Sequence, residues 1–403
     1  MLPIPIMTAR FLSCNGLGLS PAQIISGLLC TSSALPEGFG FSDAEVVLTY
    51  QGRYAVNLIC QLLNIGSGDE VLVPAYNCGA EVDPFVWTGA KVIFYRIDNK
   101  ARIDTHDIIS RLTPSTKIIY VSHFFGWPQD IDDLARWCKE KGLFLVEDCA
   151  LCLFSRGPHD TIGRIGDAAI YSFVKSLPMP DGGVLILKNK TVLKEMIPFR
   201  QPHFRNIFLN SLPLLKKWFM NNNRFWQRYE ITRQLLTKSW LKGPVNHDIE
   251  VEREMPKSNY FDEQKIGWAI SRLSKGIIYG ATPHKIVEMR RRNYRHLQKE
   301  LCDLPSIQIL FDYLPDNVCP LSFPFFVDDR TFWSNALENR GILFGGWPSY
   351  HRGFDWKDFP EARHLKNDLL TLPVHQDLDL LHMDYIAQCV KSIAEDNDHY
   401  HSR

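Results

Sequence analysis

Lys175 is the residue with the clearest chemical potential. It follows Ser172 closely and precedes a Pro- and Gly-rich turn that ends in Gly182-Gly183, so its amine sits on a constrained loop rather than along a solvated helix face. An amine held in a crevice can form a Schiff base with a carbonyl. Upstream, the apolar run Gly-Leu-Phe-Leu-Val from Gly142 ends in Glu147 and Asp148, two carboxylates at the end of a buried strand. Open α/β sheets bind ligands at the carboxyl ends of their strands. A buried carboxylate there needs a cationic partner, and the pyridinium nitrogen of pyridoxal phosphate, an electron sink for carbanion chemistry, would supply one to Asp148. Taken singly, these residues also admit plainer readings: Lys175 as an exposed strand-end lysine, Glu147-Asp148 as the start of a loop.

Elements with the right order surround these groups. Val46 to Tyr50 reads as a strand running into Gln51-Gly52-Arg53, and Tyr54 to Leu63 carries apolar residues at helical spacing. A glycine at a strand-to-helix turn leaves backbone N–H groups free to hold an anion, with Arg53 adding charge; a plain helix N-terminus with a surface arginine is the alternative. Runs rich in Val and Ile then alternate with helical segments, including Leu134 to Lys141, the pattern of a mostly parallel sheet built from βαβ units. Tyr76 follows one such strand, where its ring could stack on a planar cofactor or belong to the core.

Composition narrows the class. The chain has 403 residues, 45% of them hydrophobic, with 45 Lys+Arg against 45 Asp+Glu. That length allows two or three domains with ample core, and formal neutrality gives no footprint for nucleic acid. The opening Met-Leu-Pro-Ile-Pro-Ile lacks the basic start and apolar core of a signal peptide, and no run reaches the length of a membrane span, so a cytoplasmic protein is expected. The ten cysteines are scattered, which favours reduced thiols. Cys149 and Cys152 have C-x-x-C spacing, but no second ligand pair is present for zinc, and packing as small apolar residues is the simpler account.

The middle and the C-terminal third read differently. From Arg205 to Lys242, aromatic and apolar residues such as Phe208, Leu212, Trp218 and Trp226 alternate with Lys and Arg, opposed by Glu230 alone. Such a stretch suits a pair of insert helices covering an active site or dimer contact, turning at Asn221 to Asn223, or a helix lying on a membrane or partner surface. Phe261 to Leu273 and Pro283 to Leu301 read as helices, and the basic run Lys285, Arg290, Arg291, Arg292 as a solvated face. From Ile307 onward, short strands alternate with a helix over Thr331 to Arg340, a compact α+β unit containing Trp347-Pro348 and His351.

In this order the parts resemble the DegT/DnrJ/EryC1/StrS family of sugar aminotransferases. The resemblance rests on Gly52-Arg53 before a helix, the G-x-G-D-E-V-x-V-P motif of Gly66 to Pro74, and V-x-H-x-x-G at Val121 to Gly126. It continues with E-D-x-A at Glu147 to Ala150, the block from Gly166 through Ser172 and Lys175 to Gly183, and L-T-L-P-V-H-Q-D-L from Leu370 to Leu378. It implies fold type I: a mostly parallel central sheet flanked by helices, with a smaller C-terminal α+β domain. The implied division is an N-terminal segment 1–45, a large domain 46–285 with its insert near 200–255, and a small domain 286–403.

By position, the resemblance makes Lys175 the Schiff-base lysine and general acid–base, Asp148 the pyridinium partner, and Ala150 a residue packed on one ring face. Gly52, Arg53 and Ser172 would hold the phosphate of pyridoxal 5'-phosphate, with Tyr76 as the nearer aromatic. It implies an amino donor such as glutamate or glutamine, a keto-sugar nucleotide acceptor, and a homodimer. The chain departs from the pattern at Leu151, where Gln or His is usual, and at Cys78, which aligns with an aromatic. It is two residues shorter between Ser172 and Lys175, and the usual asparagine falls near Ser258 or Asn259 without a clear match. A silent scaffold docked through residues 205–242, or an enzyme acting on a non-sugar carbonyl, is the alternative reading.

Overall fold

In the computed structural model, the described residues are 12–13, 16–32, 35–39, 45–157, 162–188, 199–222, 261–345 and 356–401. The large sheet joins β2 (Glu45–Thr49), β3 (Glu70–Pro74), β4 (Lys91–Tyr95), β5 (Thr116–Ser122), β6 (Phe144–Asp148), β7 (Ala168–Ser172) and β8 (Gly183–Leu187). Their spatial order is β2-β8-β7-β6-β5-β3-β4. The pairs from β7 through β4 are parallel, whereas β8 runs antiparallel to both β7 and β2. The expected mostly parallel sheet is thus present, and its apolar runs follow from burial on both faces.

Strand alternation sorts the side chains. Ala168, Ile170, Leu185 and Leu187 pack on one face with α2 (Gly52–Leu62) and α3 (Gly79–Trp87), while Ala169, Tyr171, Val184 and Ile186 pack on the other. On that second face, Leu145 of β6 joins Leu134 and Cys138 of α5 (Asp132–Lys141). A smaller antiparallel sheet, β9 (Gln308–Ile309), β10 (Ser322–Phe326) and β12 (Leu369–Pro373), forms the C-terminal α+β unit with helices over Arg330–Asn339, Pro360–Asp368 and Leu380–His401. The N-terminal strand β1 (Leu12–Ser13) pairs parallel with β11 (Ile342–Leu343), and Leu12 packs into that unit's core. The helix α1 (Pro21–Leu29), by contrast, lies on the helix Arg272–Tyr279.

Two elements differ from the sequence-based expectation. The helix expected over Phe261 to Leu273 is a single 3-10 turn, Glu263–Lys265, followed by Gly267 at φ 73°. Trp268 and Ala269 are then drawn to the sheet edge: Tyr50 N–H donates to Trp268 O, and Ala269 N–H to Arg200 O. The helix starts only at Arg272, after Ser271 caps it by accepting from Ser274 N–H. The second correction concerns the basic run. Arg290 and Arg291 are buried, because their guanidinium groups satisfy the carbonyls of Pro320 and Leu321 and of Pro315 and Val318, respectively. Pro283–Leu301 is helical as expected.

The insert begins as α6 (Phe204–Asn222). It docks through Ile207 and Leu214, with Leu214 O accepting from Leu19 N–H, and leaves Phe204, Phe208, Leu209, Leu212 and Phe219 exposed. The remainder of the insert, Ser258-Asn259, Trp347-Pro348 and His351 lie outside the described residues.

The Gly-Gly pair has a packing reason. A Cβ on Gly183 would stand 2.1 Å from the carbonyl carbon of Gln51 and 2.4 Å from Gly52 N, so only glycine lets β8 pass beneath the β2–α2 turn. We expect Gly183→Ala to force the backbones apart, at a cost of about 1–3 kcal/mol. A lowered thermal unfolding midpoint would show it, and an unchanged midpoint would contradict this packing.

Candidate active site

Four chain segments meet at the carboxyl ends of the parallel strands. The turn Gln51-Gly52-Arg53 starts α2, whose N-cap Gln51 makes no side-chain cap bond and whose first turn carries no acid. Its leading N–H groups therefore face a position suited to an anion. Ser172, at the end of β7, lies beside this turn, its Cβ 3.6 Å from where a Cβ of Gly52 would be. Ser172 is also paired across the sheet with Gly183. The chain then tightens into a 3-10 turn, Phe173–Lys175, anchored by Ser176 N–H donating to Phe173 O.

Asp148 ends β6 on the same face as α2 and α3. It is 3% exposed. Its Oδ1 accepts from Ala150 N–H at 2.8 Å and its Oδ2 from the Tyr120 hydroxyl at 2.8 Å, which locks the carboxylate in one orientation. Burial pushes its pKa up; the charge of Lys175, the two hydrogen bonds and His123 oppose that rise. The charge of Lys175 thus favours the charged form of Asp148.

The neighbouring carboxylate does different work. Glu147 points to the opposite face and is fully buried. Its Oε1 accepts from Ile165 N–H at 2.8 Å and Gly166 N–H at 2.6 Å, and its Oε2 from Gly163 N–H at 2.8 Å. His123 Nε2 lies 3.1 Å from the same Oε2, and His123 Nδ1 accepts from Gln129 N–H, which places the imidazole proton on Nε2. Glu147, His123 and Cys149 cluster closely enough to resemble a metal site. The carboxylate is nevertheless saturated by four N–H donors and the imidazole proton points at it, so the donor set suits a structural pair rather than a cation. Cys149 and Cys152 are buried in the core, with burial the leading reason their thiols stay protonated.

The other sequence-predicted residues divide. Ala150 lies next to Asp148 and is buried among Ile170 and Ala168. Arg53 is half-buried on the first turn of α2. Tyr76 is 1% exposed, its ring 5.4 Å from that of Phe124 and 6.4 Å from that of Phe125, among the core aromatics at the strand end. Cys78 occupies the crevice position beyond it, its Sγ accepting from Ala80 N–H and its thiol sensing both Lys175 and Glu81. Leu151 is buried in the core beneath the strand ends.

One site residue went unread in the sequence. Glu81, on the first turn of α3, is 8% exposed, and its Oε2 has no hydrogen-bond partner. Burial first, then the charge of Asp148, pushes its pKa up to about 8, while Lys175 pulls it down. The charged and titratable groups around it are Asp148, Lys175, Cys78, Tyr76, Tyr95 and Tyr120. Its signal was slight: a single acid in a helix N-terminal turn reads as an ordinary dipole partner.

A strand-end carboxylate, a lysine on the turn after the next strand and an uncapped helix N-terminus, all at one end of a mostly parallel sheet, define the fold type I aminotransferase architecture. Residues 41–209 match the profile of the DegT/DnrJ/EryC1/StrS aminotransferase family. Among curated proteins it is similar to GDP-perosamine synthase of Escherichia coli O157:H7, 32% identical over 37% of this chain and 42% of that protein. It is also similar to dTDP-4-dehydro-2,3,6-trideoxy-D-glucose 4-aminotransferase of Saccharopolyspora spinosa, 35% identical over 36% of this chain and 38% of that one. The match thus spans less than half of either relative. Among solved structures, Spr1654 of Streptococcus pneumoniae superposes with a TM-score of 0.68 at 18% identity, covering 96% of this chain and 98% of that one, a likeness of fold. No helix among the described residues is long and apolar enough to cross a membrane.

The raised pKa of Glu81 has a pH signature. The folded protein holds this proton more tightly than the unfolded chain, so stability falls as pH rises above the ordinary 4.5 and stops falling near 8. Glu81→Gln should remove that slope. Urea midpoints of the cofactor-free protein between pH 5 and 9, taken for both forms, check it; parallel curves would contradict it.

Proposed function

We propose that the protein is a pyridoxal-phosphate-dependent aminotransferase that moves an amino group from glutamate or glutamine to a keto-sugar nucleotide. The observation that carries the reading is the meeting of Asp148, Lys175 and the uncapped Gly52-Arg53 turn at one end of the sheet. The residues fit the cofactor. Asp148 is fixed by two donors and still buried, as a partner for a ring N–H must be. The α2 N-terminus carries no acid to repel a phosphate. The two curated relatives are named for work on nucleotide-linked sugars, and Spr1654 is known in apo, pyridoxal-phosphate and pyridoxamine-phosphate forms.

In this reading Gly52, Arg53 and Ser172 hold the phosphate, Ala150 packs on one ring face, and Cys78 takes the place given to Tyr76 by the sequence alone. The bound cofactor supplies the electron sink that makes the α-carbon of the donor acidic. Asp148 keeps a proton at the ring nitrogen, through an orientation that Ala150 N–H and Tyr120 Oη enforce. Lys175 Nζ would hold the cofactor and would act as the acid–base group that takes and returns the proton of the donor α-carbon. The turn Phe173–Lys175 aims that amine, and Gln376 supports it by donating from Nε2 to Ser176 O at 2.9 Å. The reading includes a homodimer, with the apolar ridge of α6 at a contact surface.

Purified protein should absorb in the visible, and borohydride followed by peptide mapping should label Lys175. Lys175→Ala should abolish transamination while leaving the circular dichroism spectrum unchanged; undiminished turnover in that variant would sink the assignment. Asp148→Asn should lower kcat by about 100-fold or more, as expected when a positioned group that stabilises developing charge is lost.

A further inference from the structure

Within that reading, one buried group has no assigned task. Glu81 belongs to the first turn of α3, where a carboxylate is ordinarily solvated and complements the helix dipole. Here it is nine-tenths buried, and its Oε2 has no hydrogen-bond partner. A buried acid with an orphaned oxygen is costly unless something meets it. It senses Asp148 and Lys175, and Tyr120, whose hydroxyl holds Asp148, senses both carboxylates. Two carboxylates therefore stand at the end of the crevice where Asp148 receives a cation, with Lys175 the ammonium that acts on both.

We propose that Glu81 is a positioning residue of the cofactor site, one that pairs with Asp148 to make the ring-nitrogen end of the crevice doubly acidic and so strengthens the hold on a protonated ring nitrogen. Asp148 and Glu81 repel each other when both are ionised, so the protein without a ring cation keeps a proton on the pair. With a ring N–H held at Asp148, a positive charge would lie beside both carboxylates, the proton of the pair would be released to solvent, and repulsion would become attraction to the shared cation. Glu81 thereby acts through Asp148, without needing to touch the ring. A purely structural carboxylate would instead resemble Glu147, with every lone pair met by an N–H.

The inference rests on the aminotransferase reading, and its test separates the two. Cofactor-free wild type, Glu81→Gln and Glu81→Leu are titrated with pyridoxal phosphate and with its 1-deaza analogue, in which the ring nitrogen is a C–H, by quenching of intrinsic fluorescence. Wild type should prefer pyridoxal phosphate, and both variants should lose about tenfold of that preference, the scale of one charge-assisted interaction. Affinity for the analogue should change less than about twofold, since the analogue carries no ring cation. Glu81→Gln keeps size and polarity, so the comparison survives if Glu81→Leu does not fold. Equal weakening of both ligands, or no weakening of either, would overturn the role. A wild type that bound neither ligand would overturn the aminotransferase reading itself.

Discussion

A carboxylate that touches no ligand sets the geometry of the site. Glu147 is fully buried and receives N–H groups from Gly163, Ile165 and Gly166 together with His123 Nε2. Those donors come from the end of β5 and from the connection into β7, so one side chain of β6 holds three adjacent strands at the same level. Charge-assisted bonds of this kind offset the desolvation of a buried acid only when the lone pairs are satisfied, as they are here. Because successive strand residues face opposite ways, fixing Glu147 on one face fixes Asp148 on the other. The orientation of the crevice carboxylate is thus inherited from its neighbour.

Much of this was legible because it is local. Alternation along a buried strand announces that Glu147 and Asp148 diverge, and a glycine pair before an apolar run announces a tight approach. The uncapped α2 turn follows from Gln51 standing where a Ser, Asp or Asn would cap. Other features are set by partners distant in sequence, and these were misread, left open or passed over. Arg290 and Arg291 look solvated within their own helix; only the returning 315–321 segment, whose carbonyls accept from their guanidinium groups, buries them. Trp268 interrupts a plausible helix because Tyr50 and Arg200, far away in the chain, need edge partners. Tyr76 could face either way until Phe124 and Phe125 are brought beside it. Glu81 was invisible since its burial depends on β6 lying under α3.

The electrostatics of the crevice balance burial against a single ammonium. Desolvation raises Asp148, Glu81 and the Cys78 thiol alike, and the charge of Lys175 opposes the rise in all three. A lysine among groups that gain from its charge is favoured where it stands, which explains how its amine is retained on a short turn without an ion-pair partner at contact distance among the described residues. The same balance implies that whatever replaces or modifies the ammonium changes the protonation of its neighbours together.

That turn is held from the C-terminal unit as well as from the sheet. Gln376 Nε2 donates to Ser176 O, directly after Lys175, while Gln376 Oε1 accepts from Arg290 Nε at 2.8 Å. Arg290 in turn donates to the carbonyls of Pro320 and Leu321, and Leu321 N–H donates back to Phe125 O beside the β5 strand end. At Gly126, with φ 112°, a Cβ would meet Cys319 O at 2.4 Å, so the 315–321 segment is seated directly on that strand end. The bonds form a circuit from the lysine turn through the C-terminal unit to the β5 end that carries His123, and so back to Glu147. A displacement of the C-terminal unit would therefore be felt at both the amine and the carboxylates, which makes the small unit part of the site's alignment although, among the described residues, the charged groups coupled to Asp148 and Glu81 belong to the large sheet and its helices.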